Sequence, residues 1–268
     1  AHKRNAGEVD FSRFWDSSGI DVFSGKAVGQ EYKVSLLHAT EEVSSGSTSA
    51  TNLYMQELSG VIYYADGAVL KKIATPLTSA VTTDGTPSGG NNITGMAVLG
   101  TKLYLVANGT IYVRNSAGSF ASYNAGNTWT DMCDAGAVAM ATADDGYIYS
   151  FADESSTLTL KGQTFVEGEV PNAIDSAQGF VFYGTATNTA SGKIGRLYRA
   201  EVTNANNLYV LVNSQLIKQW GNGTTTLDQA PYKIVSTRDS IYTGIKDTAS
   251  KTHLWRYYLP TGGIARDL

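Results

Sequence analysis

A short phrase of turn, apolar residue, aromatic residue and apolar run recurs through this chain, and a repeat of that kind constrains the fold more than any single motif. It is clearest in residues 95–129, GMAVLGTKLYLVANGTIYVRNSAGSFASYNAGNTW. Apolar runs at 96–99, 103–107 and 111–113 are separated there by Gly100-Thr101-Lys102, Asn108-Gly109 and Ser116-Ala117-Gly118. Asn-Gly between apolar runs is a strong hairpin signal, because a type I′ turn needs positive φ at both central residues. The stretch therefore predicts a four-stranded antiparallel meander.

The phrase returns at Ser59-Gly60-Val61-Ile62-Tyr63, Thr101-Lys102-Leu103-Tyr104, Asp145-Gly146-Tyr147-Ile148-Tyr149, Gln178-Gly179-Phe180-Val181-Phe182, Asn206-Asn207-Leu208-Tyr209 and Asp239-Ser240-Ile241-Tyr242. The aligned aromatics Tyr63, Tyr104, Tyr149, Phe182, Tyr209 and Tyr242 stand 27 to 45 residues apart, enough for three or four short strands each. Runs such as LYLVA and GFVFYG are apolar throughout, as strands covered on both faces must be. A repeated four-stranded unit of this length resembles a β-propeller, in which sheets fan around an axis and shelter one another. A β-sandwich pair predicts less regular spacing and a β-helix a shorter period. The expected architecture is all-β, a propeller of six blades with seven as the alternative, its ring closed by N- and C-terminal strands. Residues 20–23 are the candidate closing strand, residues 1–19 an N-terminal arm, and 20–268 one domain.

Composition narrows the function. Only 16% of the 268 residues are charged and the net charge is −4. No cluster of Lys and Arg offers a nucleic-acid groove, so nucleic acid is excluded as the expected partner. No apolar run approaches the ~20 residues of a membrane-spanning helix. Cys133 is the sole cysteine, so no intrachain disulfide framework exists. Low charge with abundant Ser, Thr, Asn, Gly and Tyr fits an exported chain, so the expected location is extracytoplasmic: periplasmic, cell-surface or secreted.

The sharpest local motif is Ser122-Tyr123-Asn124-Ala125-Gly126-Asn127-Thr128-Trp129. It resembles the Asp-box, or BNR repeat, of sialidases and related propellers, with Asn124 in place of the Asp. The resemblance implies a structural turn of Ser122, Asn124, Gly126 and Trp129, in which Asn124 bonds nearby backbone amides, Gly126 takes a left-handed position and Trp129 packs on its blade. It carries no catalytic residue over, since sialidases need three clamping arginines, a Tyr/Glu pair and an acid Asp, and no Arg-Ile-Pro-like segment lies near the start of this chain, which is also shorter than that family usually is.

Other chemistry is sparse. His2, His38 and His253 are scattered, and no Cys-x-x-Cys or His-x-His spacing occurs. No cofactor is expected. Calcium at the acidic turns around Asp131, Asp134, Asp144 and Asp145 is the one metal alternative, although none has the spacing of a calcium loop. No nucleophile elbow or phosphate loop is present. What stands out is Arg196-Leu197-Tyr198-Arg199 and Leu254-Trp255-Arg256-Tyr257-Tyr258, where rings adjoin guanidinium groups. Tyr198, Arg199, Trp255, Arg256 and Tyr257 are accordingly the candidate ligand-binding residues, suited to sugar stacking or a protein hot spot. The expected function is a non-enzymatic scaffold that binds a protein or glycan. A carbohydrate-active hydrolase or lyase using carboxylates from separate blades is one alternative, and a part of a surface or phage assembly is another.

Overall fold

The computed structural model describes residues 20–21, 35–36, 54–74, 80–88, 90–123, 126–154, 157–189, 192–221, 230–246 and 252–266. The chain divides into two compact units, Ala1–Ser45 and Gly46–Leu268. In the first, β1 (Ile20–Asp21) pairs antiparallel with β2 (Ser35–Leu36). The N-terminal arm, residues 1–19, lies outside the described residues.

The second unit is a β-propeller of five blades, each a four-stranded antiparallel sheet of consecutive strands. Blade 1 comprises β3 (Met55–Leu58), β4 (Val61–Asp66), β5 (Val69–Ile73) and β6 (Thr82–Gly85). Blade 2 has β7 (Ile93–Leu99), β8 (Lys102–Ala107), β9 (Thr110–Ser116) and β10 (Ser119–Tyr123). Blade 3 has β11 (Trp129–Asp134), β12 (Ala139–Ala143), β13 (Tyr147–Glu154) and β14 (Thr157–Phe165). Blade 4 has β15 (Val170–Ala177), β16 (Phe180–Thr189), β17 (Gly192–Ala205) and β18 (Leu208–Trp220). Blade 5 has β19 (Ala230–Ser236), β20 (Ser240–Lys246), β21 (Thr252–Tyr258) and β22 (Gly263–Arg266). The first strands β7, β11, β15 and β19 each pack against the next and line the axis.

Five blades correct the expectation of six or seven. The aromatic phrase follows any hairpin turn, whichever two strands the turn joins. Phe182 and Tyr209 both belong to blade 4, on its second and fourth strands, while Tyr149 falls on the third strand of blade 3. Blade 4 misled because β17 and β18 run for 14 and 13 residues. A hairpin that long reads as the start of a fresh unit. Ring closure by mixed strands is corrected as well, because blade 5 takes all four strands from residues 230–266 and, among the described residues, Ile20–Asp21 pairs with Ser35–Leu36 alone.

The predicted meander of blade 2 folds as the sequence requires. Asn108 and Gly109 have φ of 49° and 68°, and Ala107 pairs with Thr110 across them. Along β8, residues 103–107 are all buried, as a strand covered on both faces should be. Trp129, the last residue of the Asp-box-like stretch, is buried and meets Tyr149 and Phe151 edge to face. Gly126 has φ 88°, and Asn124 lies outside the described residues.

Successive blades are joined by apolar cores. Tyr63, Leu70, Met96 and Leu105 join blades 1 and 2; Tyr104, Trp129, Met132 and Phe151 join 2 and 3. Cys133, Met140, Ile174 and Tyr183 join blades 3 and 4; Phe182, Leu197, Trp220 and Ile234 join 4 and 5. Among the described residues no fifth core joins blade 5 to blade 1. Met96, Met132, Ile174 and Ile234 occupy one register position and are at most 2% exposed, whereas their counterpart Met55 in blade 1 is 66% exposed.

Between blades 1 and 2 a charged cluster supplements the core. Arg114 grips Asp84 through Nε at 2.5 Å and Nη2 at 2.8 Å, with Lys72 Nζ 3.0 Å away. Burial opposes the Asp84 charge, but these two cations outweigh it and hold the carboxyl below its usual range.

Cys133 sits in the core between blades 3 and 4, 3% exposed. Burial and the nearby Asp175 and Asp131 push its thiol up, away from the reactive thiolate. The folded chain is therefore expected to react with Ellman's reagent far more slowly than the chain in strong denaturant. A native rate within about threefold of the denatured one would place this strand outside the core.

Candidate functional site

Besides the Asp84 cluster, three places stand out among the described residues, and the register of the first strands explains the first. Tyr54, Gly95, Asp131, Ala173 and Lys233 occupy equivalent positions, each four residues before the last pair of the turn that follows. In blades 2 to 5 a bulge just precedes this position, at Ile93/Gly95, Trp129/Asp131, Pro171/Ala173 and Pro231/Lys233. The bulge bends the strand and aims the next residue at the neighbouring blade. Asp131 uses this geometry to bind backbone: Oδ1 accepts from Met132 N at 2.9 Å and Oδ2 from Ile174 N of blade 4 at 3.1 Å. Lys233 Nζ approaches Asp131 Oδ2 to 3.5 Å and lies 3.6 Å from the centre of the Tyr54 ring.

Burial pushes the Asp131 carboxyl up to about 6, against the pull of Lys233 and the two backbone donors. Asp131 therefore belongs to the buried part of β11 and not to a surface turn. Asp175 repeats the arrangement one blade on, accepting from Ser176 N at 2.8 Å and Ser236 N of blade 5 at 2.6 Å. Ser176 Oγ donates to the Asp134 carbonyl, and Ser236 Oγ donates to the Ser176 carbonyl at 2.8 Å. These side chains satisfy the free edges of the first strands, which have no further strand to pair with.

The second place surrounds Glu169, just before β15. Its carboxylate accepts from Thr185 Oγ1, Arg196 Nη1 and, at 3.0 Å, Tyr198 Oη. Arg196 is fixed further by Nε donating to Gln219 Oε1 at 2.9 Å. Burial and Glu169 together push the Tyr198 phenol up to about 12, so it remains a donor.

These contacts locate the residues singled out from sequence. Tyr198 has its hydroxyl on Glu169 and its ring stacked on Tyr183 at 5.1 Å. Arg199 lies on the other face of β17, over the Phe180 ring at 4.7 Å and bonded to Gln215. Trp255 meets Trp220 edge to face at 5.8 Å and carries Lys218 Nζ above its ring. Tyr257 is buried against Phe182 at 6.2 Å, and Arg256 rests over Tyr258 on the opposite face of β21. Strand alternation thus sends the five residues to four different blade faces, two of blade 4 and two of blade 5. The acidic turns are similarly engaged: Asp134 Oδ1 accepts from Gly136 N at 2.7 Å, and Asp145 accepts from Tyr147 N at 3.1 Å and Tyr149 Oη at 2.6 Å. Among the described residues no three His, Cys, Asp or Glu side chains gather as a metal site.

The third place is a cavity of about 500 Å³ between blades 3 and 4. Ala135, Gly136 and Ala137 form one lip, in the turn from β11 to β12. The turn from β15 to β16, around Gln178 and Gly179, forms a second. The third wall is the long outer hairpin of blade 4, which contributes Val202, Asn204 and Tyr209. That hairpin ends in a tight Asn206-Asn207 turn, φ 54° and 64°, with Leu208 beside it 56% exposed. Sequence reasoning missed this site because its walls come from three separate hairpins. The run Ala135-Gly136-Ala137 was its one visible trace: three consecutive small residues leave space where larger ones would close it.

No protein-family model matches the sequence, and neither does any curated protein. Among solved structures the chain is similar to Kuenenia stuttgartiensis hydrazine synthase, at 10% identity and a TM-score of 0.54, over 83% of this chain and 68% of that one. It is also similar to the extracellular domain of a hybrid two-component system from B. thetaiotaomicron, at 14% identity and a TM-score of 0.51, over 82% of this chain and 28% of that one. BamB from Moraxella catarrhalis matches at 13% identity and a TM-score of 0.46, over 79% and 59%. The chain thus spans between about a quarter and two thirds of these proteins, and at such identities what it shares with the first two is the propeller fold.

Proposed function

We propose that this chain is a non-enzymatic binding propeller that recognises a protein or glycan outside the cytoplasm. The observation that carries this reading is the state of the carboxylates. Asp84, Asp131 and Asp175 are tied to cations or backbone donors across the joints between blades, and Glu169 to two hydroxyls and a guanidinium within blade 4. Hydrolysis of a glycosidic bond needs two carboxyl groups facing one space, roughly 5 to 10 Å apart. The cavity between blades 3 and 4 has no carboxylate in its lining. A rigid ring with exposed turns suits recognition, and the sparse charge with abundant Ser, Thr, Asn and Tyr supports an exported setting.

The test pairs two assays on the intact chain. Retention on immobilised glycans or on surface-exposed protein, together with no release of nitrophenol from a panel of nitrophenyl glycosides above the buffer rate, is the expected result. Turnover of any glycoside at a protein-dependent rate would remove this reading in favour of the hydrolase.

A further inference from the structure

The cavity between blades 3 and 4 restricts its own occupant by what lines it. At about 500 Å³ it falls within the ~300–1,000 Å³ range of small-molecule sites. No charged side chain contributes to the lining, so an ionic ligand would be desolvated there without a counter-charge. A purely apolar ligand fails for the opposite reason. It would cover the amides of Asn204 and Gln178 and the main chain of two glycine-bearing turns without giving them partners.

Gln178 shows how the polar side is arranged. Its Nε2 donates to the Arg238 carbonyl of blade 5 at 2.7 Å, which fixes the amide and leaves Oε1 as an acceptor. Asn204 is exposed and stands opposite Tyr209 across the hairpin, on the strand face it shares with Val202. Tyr209 is half-buried, and its own carbonyl is anchored from blade 3 by Ser150 Oγ at 2.6 Å. An aromatic ring on an aliphatic floor, flanked by amides that both donate and accept, matches a molecule with C–H faces and several hydroxyls.

We propose that this cavity binds an uncharged glycosyl unit, its C–H face on Tyr209 and its hydroxyls on Asn204 and Gln178. The assignment rests on the binding reading above and narrows it to one ligand class and one site.

The experiment uses the full chain and neutral gluco-, manno- and galacto-oligosaccharides as probes, with oligogalacturonate as the charged comparison. Binding is read by saturation-transfer NMR and calorimetry. At least one neutral series should bind, and Ala137→Trp, which fills the cavity from an exposed turn, should weaken it tenfold or more with an unchanged melting temperature. Tyr209→Ala should weaken binding to the same degree. Should either variant fold poorly, Asn204→Ala at an exposed position supplies the readout, with at least a threefold loss expected. Leu254→Ala, on blade 5, should bind like the parent.

Silence from every neutral series, equal affinity for oligogalacturonate, or undiminished binding in Ala137→Trp would each overturn the assignment. These failures separate from failure of the broader reading. A partner held equally by the parent and by Ala137→Trp removes this site and leaves a binding protein, whereas protein-dependent glycoside turnover removes the binding protein itself.

Discussion

Gly95→Ala is expected to cost this propeller about 3 kcal/mol, at the upper end for adding one methyl group to a packed interior. A Cβ on Gly95 would lie 2.5 Å from the Met132 nitrogen, 2.8 Å from Asp131 Oδ1 and 3.1 Å from the Asp131 carbonyl carbon. Two of the three obstacles are backbone, and the third is a carboxylate already pinned by two N–H donors. None can rotate aside, so β7 and β11 must part along the axis. Gly60→Ala is the comparison, because Gly60 has φ 79° with open space around it and brings only the ~1–2 kcal/mol strain of a left-handed alanine. Urea unfolding of both variants decides the matter. A midpoint for Gly95→Ala no lower than that for Gly60→Ala would mean that the first strands have slack between them.

Removing the Asp131 carboxylate should have an effect of similar size and a particular dependence on pH. Asp131→Ala leaves the Ile174 and Met132 N–H groups without acceptors and Lys233 without its counter-charge, a loss of about 3–5 kcal/mol by analogy with broken buried pairs. Asp131→Asn keeps the shape and isolates the charge.

The wild-type carboxyl is pushed up to about 6 by burial, above the 3.8 of an ordinary aspartate, so the folded chain binds this proton more tightly than the unfolded chain does. Its contribution to stability is full below pH 3.8 and is lost as the pH rises through about 6. The wild type should therefore lead Asp131→Asn by most near pH 3, and by about 3 kcal/mol less at pH 7, taking 1.36 kcal/mol per pH unit between 3.8 and about 6. Urea melts of the pair at both pH values measure the change. A gap that is flat with pH, or that widens toward neutrality, would show that the carboxyl titrates in its ordinary range.

The local hairpins of this chain are legible in its sequence, but the assembly of hairpins into blades is less so. Asn108-Gly109 announces its turn because left-handed φ at two successive residues is affordable to few other pairs. The continuous burial of residues 103–107 is equally plain, since a strand covered on both faces needs no polar alternation. What the sequence does not mark is which turn separates blades. Asn206-Asn207 has the same turn chemistry whether it joins two strands of one sheet or opens the next, and only the pairing of β17 with β18 distinguishes them.

The site followed the same division. Tyr198 and Arg199 drew notice because rings and guanidinium groups are adjacent in sequence, yet adjacent strand residues point to opposite faces, and each found a separate structural partner. Asp131 has the composition of a turn acid, and only the β11–β12 register shows it buried. The cavity depends on residues up to 74 positions apart and on the absence of bulk at Ala135 and Ala137, and missing volume leaves almost no imprint on a sequence.

The unequal joints of the ring have a thermal consequence. Four are apolar among the described residues, whereas blade 5 meets blade 1 through Lys233 resting on Tyr54. The apolar driving force fades on cooling, and attraction between an ammonium and an aromatic face does not depend on it. Chilling this protein is therefore expected to weaken the apolar part of four joints and to spare the fifth, so its internal motions should redistribute around the axis with temperature.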